Sequence, residues 1–137
     1  GVYHEAVLDI QGTKVPATDA PIDKNVHIPS GSFILDARII VDTAFTSGGS
    51  ATLDIGLMND DGDGTFSTND DNGIDAAIAV GTLVLDYDVA ADGAQIGTSP
   101  VNGTSTSYPL VFSHGYNTAA FTAGRARVIV RWIPPKT

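Results

Sequence analysis

Cysteine is absent from the 137 residues, so neither a disulfide framework nor thiolate chemistry is open to the chain. Lysine and arginine number only seven against sixteen acidic residues, a formal net charge of −9. Nucleic-acid binding depends on clustered basic side chains that neutralise phosphates, so no direct DNA or RNA contact is expected. No apolar run approaches the roughly 18–20 residues of a membrane-spanning helix, and no membrane partner is expected. Helical periodicity is almost missing. The best helical candidate, DAAIAVG at residues 75–81, is short and suits a strand equally well.

What is present is strand chemistry. Hydrophobic residues make up 42% and charged residues 17%, enough for a core and too apolar for a disordered acidic tail. The length is that of one domain. In residues 33–45, Phe33, Leu35, Ala37, Ile39 and Val41 alternate with Ile34, Asp36, Arg38, Ile40 and Asp42. That period of two puts the first set on a core face and the second on an outer face. A TSGG turn leads to a second run with Leu53, Ile55 and Leu57 inward, so the pair reads as a hairpin. Residues 125–133 repeat the pattern, with Ala126, Val128, Val130 and Trp132 inward and Arg125, Arg127, Ile129, Arg131 and Ile133 outward. Pro134 and Pro135 then end the pairing. Shorter strands are predicted at residues 3–10, 25–28, 82–87 and 107–113. The fold class expected is all-β: a single antiparallel β-sandwich or jelly roll of about seven or eight strands. Residues 1–24 read as an N-terminal strand or arm, and 25–137 as the sandwich core carrying an acidic loop at 59–75. Gly1 opens the sequence, as expected of a chain trimmed at its N-terminus.

Catalytic patterns are lacking. There is no G-x-S-x-G around a serine, and His4, His27 and His114 stand in unrelated contexts. No phosphate-cradling glycine loop opens a helix, so the chain is not expected to be an enzyme. Asn102-Gly103-Thr104 fits the glycosylation sequon, a frequent chance match. The sharpest local motif is NDDGDGTFSTND at residues 59–70. Asn59, Asp61 and Asp63 take the first, third and fifth places of a calcium loop, Gly64 the sharp turn, Thr65 a carbonyl position and Asp70 the last place. Asn at the first place and Asp at the last depart from the pattern. The bland alternative is a solvated connection between strands, since Asp, Asn and Gly build exposed turns. No other cofactor is expected. The outward stripe of Arg125, Arg127 and Arg131 has two readings: cross-strand pairing with Asp36, Asp42 or Asp54, or docking on an acidic partner. Ile129 and Ile133 share that face, as Ile34 and Ile40 share theirs, and alternating Ile and charge suits an oligomer interface.

Several segments in fixed order carry a family resemblance. They are Pro29-Ser30-Gly31-Ser32-Phe33-Ile34, Thr43-Ala44-Phe45, residues 50–56 (SATLDIG), residues 73–77 (GIDAA) and residues 122–126 (TAGRA). Together they span most of residues 25–133, and the order resembles a recurrent domain of tailed-bacteriophage virion proteins. The resemblance implies a small β-sandwich acting as a capsid decoration (cement) protein, often trimeric, on the outer surface of the virion. The implied partners are the major capsid protein and further copies of the chain, and no catalytic residues are implied. Residues 59–72 read as an insertion in that pattern. A tail, neck or fibre location is the first alternative. A calcium-dependent carbohydrate-binding or adhesion sandwich is the second, with Tyr87, Tyr108, Tyr116 or Trp132 beside the acidic loop.

Overall fold

The computed structural model describes residues 2–104 and 108–136, so Gly1, Thr137 and the predicted strand start at Ser107 lie outside the described residues. Nine strands run β1 (His4–Gln11), β2 (Ala20–Pro21), β3 (His27–Ile28), β4 (Phe33–Ser47), β5 (Thr52–Asp60), β6 (Phe66–Ala79), β7 (Asp88–Ala90), β8 (Leu110–Asn117) and β9 (Phe121–Ile133). They form two antiparallel sheets. Sheet A has the order β1-β9-β4-β7, and sheet B the order β2-β8-β5-β6 with β3 also on β8. The expected β-sandwich is therefore what the chain forms.

Sheet A is built around β9. Its partner β1 pairs without interruption from His4 opposite Trp132 to Gln11 opposite Arg125. The predicted parity of β9 holds throughout: Ala126, Val128, Val130 and Trp132 are buried. The predicted hairpin of β4 and β5 does not form, because the chain crosses to sheet B between them; from that sheet Leu53, Ile55 and Leu57 of β5 are wholly buried, as the alternation requires. Phe112 of β8 packs on Trp132 with ring centroids 6.1 Å apart, and Phe45 meets Phe121 edge-on at 5.2 Å.

The parity of β4 is wrong at its start, and the reason is local. Ile34 pairs with Trp132, but Asp36 pairs with Arg131, so Leu35 is one extra residue in the ladder. A bulge of this kind shifts every side chain beyond it by one position. Ile34 consequently points into the core at 0% exposure while Leu35 is 37% exposed, the reverse of the sequence reading. From Ala37 onward the predicted inward set of Ala37, Ile39 and Val41 is buried.

The acidic segment also differs from its prediction. Residues 59–75 are not one loop. Asn59 and Asp60 end β5, and β6 begins at Phe66, so only residues 61–65 make the turn. Further along β6 the ladder breaks: Ile55 pairs with Asp75 and Leu57 with Asp70, leaving residues 71–74 opposite Gly56 alone. The displaced backbone crosses Gly56, where a Cβ would run into the Asp70 and Asp71 main chain. Amides of Gly93 and Gln95 pin the bulge by donating to the Ile74 and Gly73 carbonyls at 2.8 and 2.9 Å. The predicted strand at 82–87 is instead a short 3-10 turn (Val80–Thr82) and a bend, with β7 beginning at Asp88. Its Leu83 and Tyr87 carbonyls still accept from Phe45 and Val41 of β4, both at 2.9 Å.

Candidate interaction surface

The outer face of sheet A gathers every arginine of the chain, and each is matched to an aspartate. Arg125 donates to Asp9 across β9 and β1 at 3.1 and 2.6 Å. Arg127 grips Asp42 of β4 with two bonds of 2.9 Å. Arg131 makes the same two-point contact with Asp36, and Arg38 reaches Asp88 of β7 at 2.5 Å. Planar guanidinium and carboxylate groups suit this two-point geometry. The Arg125, Arg127 and Arg131 guanidiniums hold the carboxyls of Asp9, Asp42 and Asp36 below the usual carboxylate range. The cross-strand reading of the arginine stripe is thus realised with Asp36 and Asp42. Asp9 was missed, and Asp54 sits elsewhere, accepting from the Ala77 amide and Asn117 at 2.7 Å each.

Because these pairs are half exposed, they contribute little to stability. Their effect is on shape and charge. They tie β1, β9, β4 and β7 into one plate in which four positive and four negative groups cancel locally, with Glu5, opposite Arg131 on the same face, outside these pairs. Between them lie apolar side chains: Val7 of β1 at 55% exposure, Ile133 at 44%, and half-buried Ile129 and Ile40. Register sets Val7 beside Ile129 and Ile40 beside Arg127. Tyr3 extends the plate, with the Arg131 guanidinium 5.2 Å from its ring centroid. Of the seven residues predicted for an interface, Arg125, Arg127, Arg131, Ile129, Ile133 and Ile40 share this face. Ile34 does not, because the bulge at Leu35 turns it into the core.

The calcium reading of residues 59–70 needs oxygens that converge on one centre. The hairpin strings them out instead. Asn59 lies in β5, its side-chain oxygen accepting from Asn69 at 3.1 Å and from the Thr104 amide at 3.2 Å. Asp61 accepts from Ser67 at 3.3 Å. Asp63 accepts from the Thr65 hydroxyl and amide at 2.5 and 3.2 Å, and these bonds lower its pKa. Asp70 sits opposite Leu57 and accepts from Gln95 at 3.0 Å. Among the described residues, no three His, Cys, Asp or Glu side chains are placed to hold a metal ion. Asn59, Asp61, Asp63, Thr65 and Asp70 do not fit calcium as a set. Thermal melting is expected to be the same with calcium and with chelator; a midpoint that drops on chelation would restore the metal reading.

The remaining sequence candidates are dispersed. His27 bonds Asp60 at 3.0 Å, His4 stacks on Trp132 at 6.0 Å, and His114 is buried in β8, which pushes its pKa down to about 4. Trp132 is part of the core, and Tyr116 is half-buried against the core cluster. Tyr108 alone of the named aromatics lies over the hairpin turn, against Gly62. Asp19 was not singled out by sequence. Burial raises its pKa to about 6. The nearby Ser113 hydroxyl lowers it in part, and Asp71 and Asp54 raise it further. Neither Asp19 carboxylate oxygen has a hydrogen-bond partner of good geometry. With its folded pKa above the usual 3.8, Asp19 adds stability below about pH 4 that is lost as pH rises through 6. Asp19→Asn is therefore expected to be more stable than the parent by roughly 1–2 kcal/mol at pH 8. That margin should vanish near pH 4. Melting curves of both proteins across this range check the prediction, and a margin independent of pH would refute it.

No protein-family model matches the sequence, and no curated protein sequence matches it significantly. Solved structures do match in fold. A chain in the "Capsid of Ralstonia phage GP4" aligns over 100% of this chain and 87% of its own, at 20% identity and a TM-score of 0.62. One in the "Acidic stable capsid structure of Helicobacter pylori bacteriophage KHP30" aligns over 99% and 90%, at 13% identity and 0.59. One in the "Cyanophage Pam1 capsid asymmetric unit" aligns over 97% and 85%, at 15% identity and 0.54. At these identities the likeness is one of fold, and it extends over essentially the whole described sandwich.

Proposed function

We propose that this chain is a structural virion protein of a tailed bacteriophage, a decoration protein that binds the outer surface of the head as an oligomer and stabilises it. The observation that carries this reading is the end-to-end fold likeness to chains of three phage capsid structures. The outer face of sheet A supplies the docking plate. Its four arginines are already paired with aspartates, so burying them against another protein leaves no orphan cation, and its exposed Val7, Ile133 and Tyr3 supply apolar contact. Several modest contacts per oligomer multiply through effective concentration, which gives a clamp its grip on separating capsomers. The net charge of −9 favours a position away from packaged DNA.

Adding the purified protein to heads that lack it tests the reading. Saturable binding in numbers comparable to the major capsid subunits, with greater resistance of the heads to heat, is expected. Failure to bind would sink the proposal. Binding in few copies at the tail vertex would move the chain to a tail or neck role.

A further inference from the structure

The sandwich has two open sides, one where β6 faces β7 and one where β1 faces β2. The β6–β7 side holds a groove of about 390 Å³. Its walls include Ala76, Ile78 and Val89, with Thr82 and Tyr87 beside them, and its charged groups are the carboxyls of Asp75 and Asp92. Asp75 is only 8% exposed and lies against the second carboxyl, Asp92, with which it shares a hydrogen bond; burial and this neighbour raise its pKa to about 6. The Ala76 amide offsets part of its charge. The ion pairs among the described residues leave both aspartates out. Two acidic groups in a slot whose mixed walls carry the alkyl surfaces of Ala76, Ile78 and Val89 form a seat for a cationic side chain whose stem lies along those side chains.

The opposite side carries such a side chain. Lys14 follows β1 and is exposed at the rim of a second groove, shared with Gln11, Pro21, Ile22, His114 and Asp9, the last already paired with Arg125. It forms no ion pair among the described residues. All four arginines are committed to sheet A, which leaves the lysines as the basic side chains without an ion pair among the described residues. The two grooves are also level with each other. One row of sheet B runs Ala20, His114, Ile55, Asp75, straight from the lysine side to the carboxyl side. Three strand spacings, roughly 14 Å, separate its ends.

We infer that a second copy of this chain inserts Lys14 into the groove between β6 and β7 of its neighbour, against Asp75 and Asp92. A two-fold contact would set carboxyl groove against carboxyl groove. Because donor and acceptor lie on opposite sides of one subunit, the contact is head-to-tail, and repeated from copy to copy it builds a ring where the rotation between subunits closes and an open filament where it does not. The plate of sheet A is left free for another partner. This contact is independent of whether the chain binds capsids.

The test is a charge swap read by sedimentation of the isolated protein. Lys14 and Asp92 are both exposed, so their replacement leaves the core untouched. The parent is expected to sediment as an oligomer. Lys14→Glu and Asp92→Lys should each weaken self-association by at least about tenfold, and the double variant should regain most of it. A monomeric parent, single variants with unchanged mass, or a double variant no better than the singles would overturn the contact. A monomer that still decorates heads would refute the contact alone. An oligomer held by Lys14 that ignores heads would refute the decoration role alone.

Discussion

Gly56→Ala is expected to lower stability by about 3 kcal/mol, the upper range for overpacking a filled site. The cause is the backbone of β6. Between Asp70 and Asp75 it leaves its ladder and passes over Gly56, so the added methyl would meet the main chain of Asp70 and Asp71. Main chain cannot swing aside as a flexible side-chain tip can. It is held from the far side by the Gly93 and Gln95 amides and by the bond from Gln95 to Asp70. Relief would require unpinning the bulge and exposing Ile74, which is wholly buried. For a domain of this size the loss corresponds to a fall in Tm of about 10 °C. Gly48→Ala is the control, since a Cβ there meets nothing within 4 Å. Calorimetry of the two variants decides the matter: similar, small shifts for both would mean that β6 does not cross Gly56 as described.

The second large effect is on particle binding. Arg127→Glu combined with Arg131→Glu is expected to weaken attachment to heads by at least about 100-fold, or about 2.7 kcal/mol. Each reversal places a glutamate beside a carboxylate that an arginine now neutralises, Asp42 and Asp36 respectively. The plate changes from nearly balanced to strongly acidic, and docking would then bury several unpaired like charges. Both arginines are half exposed and neither touches the core, so the variant should keep the parent's melting behaviour within a few degrees. Unchanged occupancy on heads would remove sheet A's outer face from the docking role.

Legibility in the sequence followed the regularity of the ladders. The unbroken strand β9 shows its faces plainly, because every second residue from Ala126 to Trp132 is apolar and no residue is out of step. Strand β4 has an equally clear alternation, yet its first residues mislead. Leu35 is as apolar as its neighbours, so nothing in composition marks it as the extra residue that sends Ile34 inward. Strands β2, β3 and β7 have two or three residues each, too few for a period to appear. The motif at 59–70 was recognisable as a turn, but its spacing matched a calcium loop only along the chain. Once Asn59 and Ser67 face each other across a hairpin, the acidic positions diverge. The arginine stripe was visible from alternation alone. Its partner Asp9 was not, since 116 residues of chain separate it from Arg125 and only the β1–β9 pairing brings them together. The Asp75–Asp92 groove left no sequence signal either, because it exists only where the edge strands of two sheets face each other.

Imaging of the intact particle tests the central claim most directly. The proposed role predicts density for this nine-stranded sandwich on the outside of the head, bridging neighbouring capsomers in regular array, with the plate of sheet A against a protein surface. A head surface bare of that density, or the sandwich found only at the tail, would contradict it.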